Sequence, residues 1–239
     1  MRTQEYYGLD APNVVRNLGL IGGALVVAGL LSARYLPIAK MSLLIPGLCI
    51  AGTAGWMLVS SLWLKKIVMR GLLNKRQWRG DEAVLDVGTG RGLVAIEAAK
   101  RTPRGSVRAI DLWQNADLSG NSPEALLFNA RIAGVDNRLI IDTGDARSLP
   151  YSDAVFDAVT SMTAIHNIPD ESGRRSAIAE IWRVTKPGGQ ILIFDIFYAR
   201  KYLRLLHELG AIDTQLSRPS ILWGLMGYGL TARKPRERG

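Results

Sequence analysis

The chain has 239 residues, a formal net charge of +9 and one cysteine. This length accommodates one full domain and an appended segment. A single cysteine excludes an intrachain disulfide, and the sequence has no cluster of histidine and cysteine with metal-ligand spacing. The composition therefore indicates a reducing compartment and predicts no metal site.

After a polar N-terminal segment, residues 1–17, come two apolar runs, 18–36 and 41–64. The second run is long enough to cross a hydrocarbon core of about 30 Å, and the first is near the lower limit. A cleaved signal peptide is the alternative for the first run, and it would need a small-residue cleavage site. We expect a transmembrane helical hairpin that returns the chain to the side from which it came.

The positive charge is concentrated around these runs. Residues 1–80 hold ten Lys/Arg and two acids, whereas residues 81–239 hold twenty and nineteen, which together give +9. The positive-inside rule then places both termini and the following domain in the cytoplasm, on the inner membrane. A basic chain can also bind nucleic acid. Because the basic cluster directly follows an apolar run, we expect anionic lipid headgroups and no nucleic acid as its partner.

The segment 65–79 is basic and amphipathic, and Trp63 and Trp78 flank it. Apolar residues at helical spacing between lysines and arginines are typical of a helix lying in the membrane interface, with the tryptophans as anchors.

Small residues recur at four-residue spacing in both apolar runs. Such faces allow two membrane helices to approach closely, within one chain or between copies in a homo-oligomer. The alternative is that glycine is simply common in membrane helices. The residues are Gly19, Gly23, Gly47, Ala51 and Gly55.

Residues 80–235 form a predicted second domain, and 236–239 a charged tail. Continuous apolar strands alternate with amphipathic helices, a pattern typical of a parallel sheet covered on both faces. We predict strands at 83–87, 106–110, 138–142, 155–161 and 190–196, helices at 92–101, 123–133, 171–184 and 199–209, and a final strand pair at 212–217 and 223–232.

The first predicted strand runs into a glycine-rich turn, Gly88 to Gly92, which precedes a helix. Glycines allow positive φ and a close approach of the backbone to a ligand, and the helix N-terminus supplies unpaired N–H groups. Asp111 ends the next strand, at a spacing that suits an acid binding ribose hydroxyls. The turn reads Asp-x-Gly-x-Gly-x-Gly, which differs from the dinucleotide-binding fingerprint.

Two further motifs follow in order: Gly144-Asp145-Ala146 with Leu149-Pro150-Tyr151, and Arg183 to Gly189 before an apolar strand. With this order of motifs the sequence resembles the class I S-adenosylmethionine (SAM)-dependent methyltransferases with a type 11-like domain. The resemblance implies an α/β, Rossmann-like, doubly wound seven-stranded sheet whose last strand pair is antiparallel.

The resemblance also implies SAM as cofactor and S-adenosylhomocysteine as product. Asp86 and the glycine turn would hold the methionine moiety, Asp111 the ribose and Asp145 the adenine amino group. A turn or helix-cap role is the alternative for both Asp111 and Asp145, and a core position is the alternative for Trp113. The implied cofactor-binding residues are Asp86, Gly88, Thr89, Gly90, Gly92, Asp111, Leu112, Trp113, Asp145, Ala146 and Ser161.

Candidates for the methyl acceptor side lie at the ends of the fourth and fifth strands. His166 could act as a general base or only shape the site. Tyr198 is the second candidate catalytic residue and could bind the acceptor or only pack, and Asn167 could contact the acceptor. Tyr6 and Tyr7 could close over the site as a lid or lie in an interfacial aromatic belt. The polar insert 113–121 could form a pocket wall or a solvated loop.

We therefore expect a membrane-anchored methyltransferase that acts on a lipid or amphipathic small molecule. One alternative is a methyltransferase of a soluble small molecule or a protein that is merely localised by its hairpin. Another is a non-catalytic SAM-binding membrane module.

Overall fold

The computed structural model describes residues 4–32, 37–114 and 118–236. Two long helices come first, α1 (Pro12–Ser32) and α2 (Pro37–Val59). The α1 helix begins earlier than the predicted run at 18–36, because Pro12 suits a first helical turn. Residues 33–36 of that run lie outside the described residues. Both helices are long and apolar enough to cross a membrane, by length and composition only.

Glycines let α1 and α2 pack closely. A Cβ on Gly22 would lie 2.5 Å from the backbone nitrogen of Ala51, and one on Gly47 would lie 2.8 Å from that of Val26. Of the predicted small residues, Gly47 and Ala51 therefore lie in the helix–helix contact. By contrast, no described atom lies within 4 Å of a Cβ built on Gly19, Gly23 or Gly55, so the prediction was wrong for a contact within the pair at these three positions.

The second helix continues beyond the apolar run. A π-helical turn (Ser60–Leu64) joins α2 to α3 (Lys65–Leu73), and α3 packs on the catalytic domain. Met69, Leu72 and Leu73 are buried in the core there. The α3 helix is therefore not a separate element, because these three side chains cover the sheet. Contact of its exposed side, which includes Ile67, with a membrane interface stays a prediction. Trp78 is partly buried and its indole donates a hydrogen bond to the Leu73 carbonyl at 2.9 Å, so it anchors the end of α3.

The catalytic domain is an α/β fold with strand order β3-β2-β1-β4-β5-β8-β6. The first five strands are parallel, and β8 and β6 are antiparallel to their neighbours. This confirms the doubly wound arrangement and the antiparallel end. An eighth short strand, β7, pairs with β8 and was not predicted. The strands are β1 (Ala83–Val87), β2 (Ser106–Asp111), β3 (Leu139–Thr143), β4 (Phe156–Met162), β5 (Thr185–Asp195), β6 (Ile212–Leu216), β7 (Ser220–Leu222) and β8 (Leu225–Arg233).

Helices cover both faces of this sheet. Successive residues of a strand point to opposite faces, so Val84 packs with α3 and α4 while Leu85 packs with α6 and α7. Full burial of each such side chain contributes about 1.5–3 kcal/mol. The helices are α4 (Leu93–Arg101), α5 (Pro123–Ile132), α6 (Glu171–Val184) and α7 (Ala199–Glu208).

Candidate active site at the carboxyl edge of the sheet

A cavity of about 560 Å³ opens at the carboxyl ends of β1, β2 and β4. This edge is where ligands bind in open α/β sheets, and the volume lies within the usual range for small-molecule sites. The predicted site residues in its wall are Tyr7, Gly88, Thr89, Gly90, Asp111, Leu112, Asp145, Ala146 and Asn167.

The glycine turn forms the floor of the cavity. Gly88, Gly90 and Gly92 have φ values of +69°, +55° and +86°, in the left-handed region that favours glycine. A Cβ on Gly88 would overlap the Cβ of Ala164. Gly92 caps α4 and lies outside the wall formed by the described residues.

Asp111 ties the turn to the polar insert. Its carboxylate accepts hydrogen bonds from the backbone N–H of Gly90 at 2.8 Å and of Trp113 at 2.7 Å, and from the Asn121 side chain at 3.2 Å. A carboxylate has about four acceptor positions, so capacity for a ribose hydroxyl remains. Of the insert, Gln114, Leu118 and Asn121 line the cavity, which supports the wall interpretation, while 115–117 lie outside the described residues.

Asp86 does not face the cavity. It lies inside β1 rather than in the loop, and its side chain is therefore buried beneath the turn. The Thr160 hydroxyl donates a hydrogen bond to its carboxylate at 2.8 Å. Burial raises the pKa of its carboxyl to about 7. Asp86 therefore supports the turn from below. Ser161 is likewise buried within β4, apart from the described wall.

The adenine-side predictions are only partly reproduced. Asp145 and Ala146 line the cavity, but the Asp145 carboxylate pairs with the Arg147 guanidinium at 2.6 Å, which lowers the pKa of Asp145. The Trp113 indole N–H donates to the Thr143 hydroxyl at 2.8 Å. Trp113 is not among the described residues that line the cavity.

The N-terminal segment from residue 5 to residue 10, here called the strap, docks on the catalytic domain. The Tyr6 backbone N–H donates to the Asn129 side chain at 3.0 Å, and its carbonyl accepts from Asn129 and Arg91, each at 3.0 Å. Ser119 exchanges two hydrogen bonds with the Leu9 backbone at 2.8 and 3.1 Å. Tyr7 is buried and lines the cavity, which supports the lid interpretation, whereas the Tyr6 ring lies on Arg91.

Lys65 holds the strap from the opposite side. Its ammonium donates to the carbonyls of Tyr7 and Gly8 at 3.0 and 3.2 Å, and to the Asp10 carboxylate at 2.9 Å. Lys65, Asp10 and Tyr7 all line the cavity. From the sequence, Lys65 belongs to the basic cluster that was expected to face lipid. Its position immediately after an apolar run did not reveal this role, because the buried face of α3 is known only from the structure.

The predicted catalytic residues lie behind the wall. His166 Nδ1 is 2.5 Å from Asp195 Oδ1, and its ring packs edge-on against Phe197. Tyr198 packs against Arg174 and lines a smaller surface cleft. The described wall of the main cavity includes neither His166 nor Tyr198. Since β4 is followed by a short 3₁₀ turn, Ile165 and Asn167 face the cavity instead.

These residues fit SAM. The glycine cradle accommodates a closely approaching ligand, the N-terminus of α4 offers N–H groups to a carboxylate, and Asp111 retains capacity for a hydroxyl. When bound, SAM supplies an electrophilic methyl group on a sulfonium. The chain would hold it through the turn from Gly88 to Gly90, Asp111 and the backbone at Ala146.

A model of a methyltransferase domain matches residues 85–193. A ubiquinone/menaquinone biosynthesis C-methyltransferase of Geotalea daltonii is 27% identical over 66% of this chain and 68% of its own length. A demethylmenaquinone methyltransferase of Deinococcus radiodurans is 36% identical over 47% of this chain and 42% of its own. A 27-O-demethylrifamycin SV methyltransferase of Amycolatopsis mediterranei is 33% identical over 49% of this chain and 39% of its own. The chain thus spans between about two fifths and two thirds of these relatives.

Solved structures share the fold. The [4+2]-cyclase SpnF has a TM-score of 0.59 at 20% identity, covering 74% of this chain and 84% of its own. Phosphoethanolamine N-methyltransferase 2 of Haemonchus contortus, in complex with SAM, has a TM-score of 0.58 at 17% identity, covering 74% and 53%. Since one of these is a cyclase, the fold alone does not determine the chemistry. The motifs, the cavity and the matched domain together show that the chain carries a class I SAM-dependent methyltransferase domain, with SAM as its cofactor.

Proposed function

We propose that the protein is a membrane-anchored methyltransferase that transfers a methyl group from SAM to a lipophilic, quinone-like small molecule. One observation carries the proposal: the residues that flank the two apolar helices also line the cofactor cavity. Asp10 lies just before α1, and Lys65 directly follows the π turn. An acceptor that leaves the bilayer at the base of the helices would therefore reach the cavity without crossing bulk water.

The surface of the helix pair supports the membrane anchor. Only 17% of each candidate span is buried inside the molecule, whereas the core helix of a soluble protein is mostly buried. Large apolar side chains such as Leu20, Leu31 and Leu48 are exposed, and monomeric soluble proteins rarely expose apolar patches of this extent. The positive-inside rule places the catalytic domain and both ends of the chain on the cytoplasmic side of the inner membrane.

Fewer basic side chains are available to bind lipid headgroups than the sequence suggested. Lys65 binds the strap, Arg76 lies 3.5 Å from the buried Glu82, and Arg79 pairs with Asp81 at 3.1 Å. We therefore restrict the proposed contact with anionic headgroups to the exposed Arg70 and Lys75. Close packing of a second copy on the outward-facing small residues of α1 and α2 stays a prediction.

The cavity supports an apolar, aromatic acceptor. Its inner wall combines the backbone of the glycine turn with aliphatic side chains, an apolar surface that would favour a flat apolar ring over water. Alignment of the acceptor with the methyl group supplies much of the rate in a direct displacement. Two of the relatives above are named for quinone methylation, a reaction with an acceptor of this kind. The aliphatic lining residues include Val87, Leu93, Val94, Met162, Ile165 and Ile168.

A pair of matched acceptors tests the proposal. The full chain in lipid nanodiscs is incubated with SAM that carries a radiolabelled methyl group. Two acceptors are compared, a quinol with a prenyl tail and the same quinol without the tail. We expect label in the organic extract and a kcat/KM at least tenfold higher for the tailed acceptor. Asp111→Ala, which loses the proposed ribose ligand, is the inactive control.

Equal kcat/KM for both acceptors would contradict a bilayer route and leave the helix pair as an anchor only. Methylation of neither acceptor, with SAM binding intact by calorimetry, would instead favour another acceptor class or a non-catalytic module.

A further inference from the structure

The hairpin formed by β7 and β8 has an apolar tip beside the base of the helix pair. Leu222 and Leu225 pair across the strands, and Trp223 and Gly224 form the connecting loop with φ values of +52° and +84°. Two consecutive positive φ values are characteristic of the tight type I′ turn, which matches the twist of a hairpin. The tip is therefore short and well defined.

Apolar side chains occupy both faces of this hairpin. Leu222 is fully buried on one face, while Ile221 and Met226 pair with each other on the opposite face and are 57% and 60% exposed. An antiparallel hairpin with one face in the core normally presents polar residues outward. The exposed pair therefore marks a contact surface rather than a solvated strand.

One hydroxyl group fixes the hairpin at the membrane-proximal end of the molecule. The Trp223 indole N–H donates to Ser61 Oγ at 3.0 Å, and the Asp10 backbone N–H donates to the same oxygen at 3.2 Å. Ser61 is buried in the π turn that ends the second apolar run. Trp63 and Ile67, two and six residues further along, are 61% and 65% exposed.

We infer that the tip of this hairpin, with Ile221, Leu225 and Met226, rests in the interfacial region of the bilayer as a second membrane contact. The inference rests on the proposed membrane anchor. Its occupant is the lipid, because the tip is hydrogen-bonded to Ser61 at the base of the helix pair. Ser61 lies two residues before the exposed Trp63, a residue type enriched at membrane interfaces. Two contacts, the helix pair and the hairpin, would fix the orientation of the catalytic domain and hold its cavity beside the membrane.

Quenching by brominated phospholipids tests the contact. The native Cys49 lies within α2 and is the chain's single cysteine, so a Cys49→Ser background allows one bimane label at Met226→Cys. A matched label at Phe128→Cys, 45% exposed on α5, serves as the soluble-face control. A label on Cys49 in the otherwise native chain shows whether α2 lies in the membrane. In nanodiscs, brominated lipid should reduce the fluorescence at 49 and 226 at least twofold and leave that at 128 unchanged.

The outcomes separate the inference from the anchor. Quenching at 49 without quenching at 226 would overturn the hairpin contact and leave the anchor standing. Absence of quenching at both would overturn the anchor as well. Label fluorescence at 226 that is blue-shifted but not quenched would mean that a second copy or another protein covers the tip, and this would also overturn the inference.

Substitution of the exposed pair gives an independent functional readout. Ile221→Glu/Met226→Glu should raise KM for the tailed acceptor at least fivefold and leave both the SAM affinity and the KM for the tail-less acceptor unchanged. Intact SAM affinity shows that the variant is folded. Unchanged KM for the tailed acceptor would overturn a role of the hairpin in presenting the domain to the membrane.

Discussion

The ammonium of Lys65 lies 2.9 Å from the Asp10 carboxylate, so the first residue of α3 is paired with a residue two positions before α1. The same ammonium holds the carbonyls of Tyr7 and Gly8. Lys65 is only 4% exposed. The strap, the helix pair and the cofactor cavity therefore form one connected unit.

Lys65→Met should loosen the strap. The variant keeps the apolar stem but leaves buried oxygens without a donor, which costs about 1–3 kcal/mol of stability. We expect SAM affinity to fall about tenfold, equivalent to about 1.4 kcal/mol, measured by calorimetry in detergent. Lys66→Met is the matched control, because Lys66 only lies over the Tyr7 ring at 5.4 Å. SAM affinity within twofold of wild type in Lys65→Met would contradict a role for the clamp.

The sequence predicted the elements whose signals are local. Each parallel strand is rich in apolar residues, and Asp111 is the last residue of its strand, so both were predictable from short windows. The strap was not, because Tyr6 meets Asn129 and Lys65 meets Tyr7 across long sequence separations. A lysine after an apolar run looks the same in sequence whether it faces lipid or a carboxylate.

Some residues predicted to line the site lie at the expected place in the fold, but their side chains point away from the cavity. The position of Asp86 in the motif was predicted correctly, but a residue inside a strand points onto a sheet face, and this one lies under the turn. His166 was placed at the correct strand end, yet the 3₁₀ turn after β4 rotates it toward Asp195. The hairpin strand β7 was missed because it is only three residues long.

Gly88→Ala should abolish SAM binding. Its φ of +69° disfavours a side chain, and the added Cβ would overlap Ala164 in the cavity wall. Gly134→Ala is the matched control, since its φ is +67° and no described atom lies within 4 Å of the new Cβ. Both variants carry the backbone penalty of about 1–2 kcal/mol. The control should therefore lose stability but keep its affinity, while Gly88→Ala loses at least about a hundredfold, equivalent to about 2.7 kcal/mol.

Equal SAM affinities for the two alanine variants would show that the close approach of Gly88 to Ala164 does not shape the site. A loss of affinity in both would instead point to general destabilisation.

His166→Asn should lower kcat by less than about tenfold, because the imidazole faces Asp195 and Phe197 rather than the cavity. A positioned general base typically contributes about 10²–10⁴-fold. The measurement is kcat against pH with the proposed tailed quinol as acceptor. A loss of a hundredfold or more, together with loss of the acidic limb of the profile, would restore His166 as the base.

Asp86→Asn should change how stability depends on pH. Burial raises the pKa of Asp86 from 3.8 to about 7, so between these values the native state binds more protons than the unfolded state. Stability from this group is therefore fully present below pH 4 and is lost as pH rises toward 7, at no more than about 1.4 kcal/mol per pH unit. Asparagine removes this proton uptake and can still accept the Thr160 hydrogen bond.

The urea midpoint of Asp86→Asn, measured in detergent between pH 5 and 8, should therefore rise relative to wild type as pH increases and then level off above pH 7. Other carboxylates contribute equally to both proteins, so the difference between the two profiles isolates this group. Parallel profiles would mean that Asp86 is ionised throughout this range. Hydrogen bonds to the carboxylate, such as that from the Thr160 hydroxyl, would then outweigh the effect of burial.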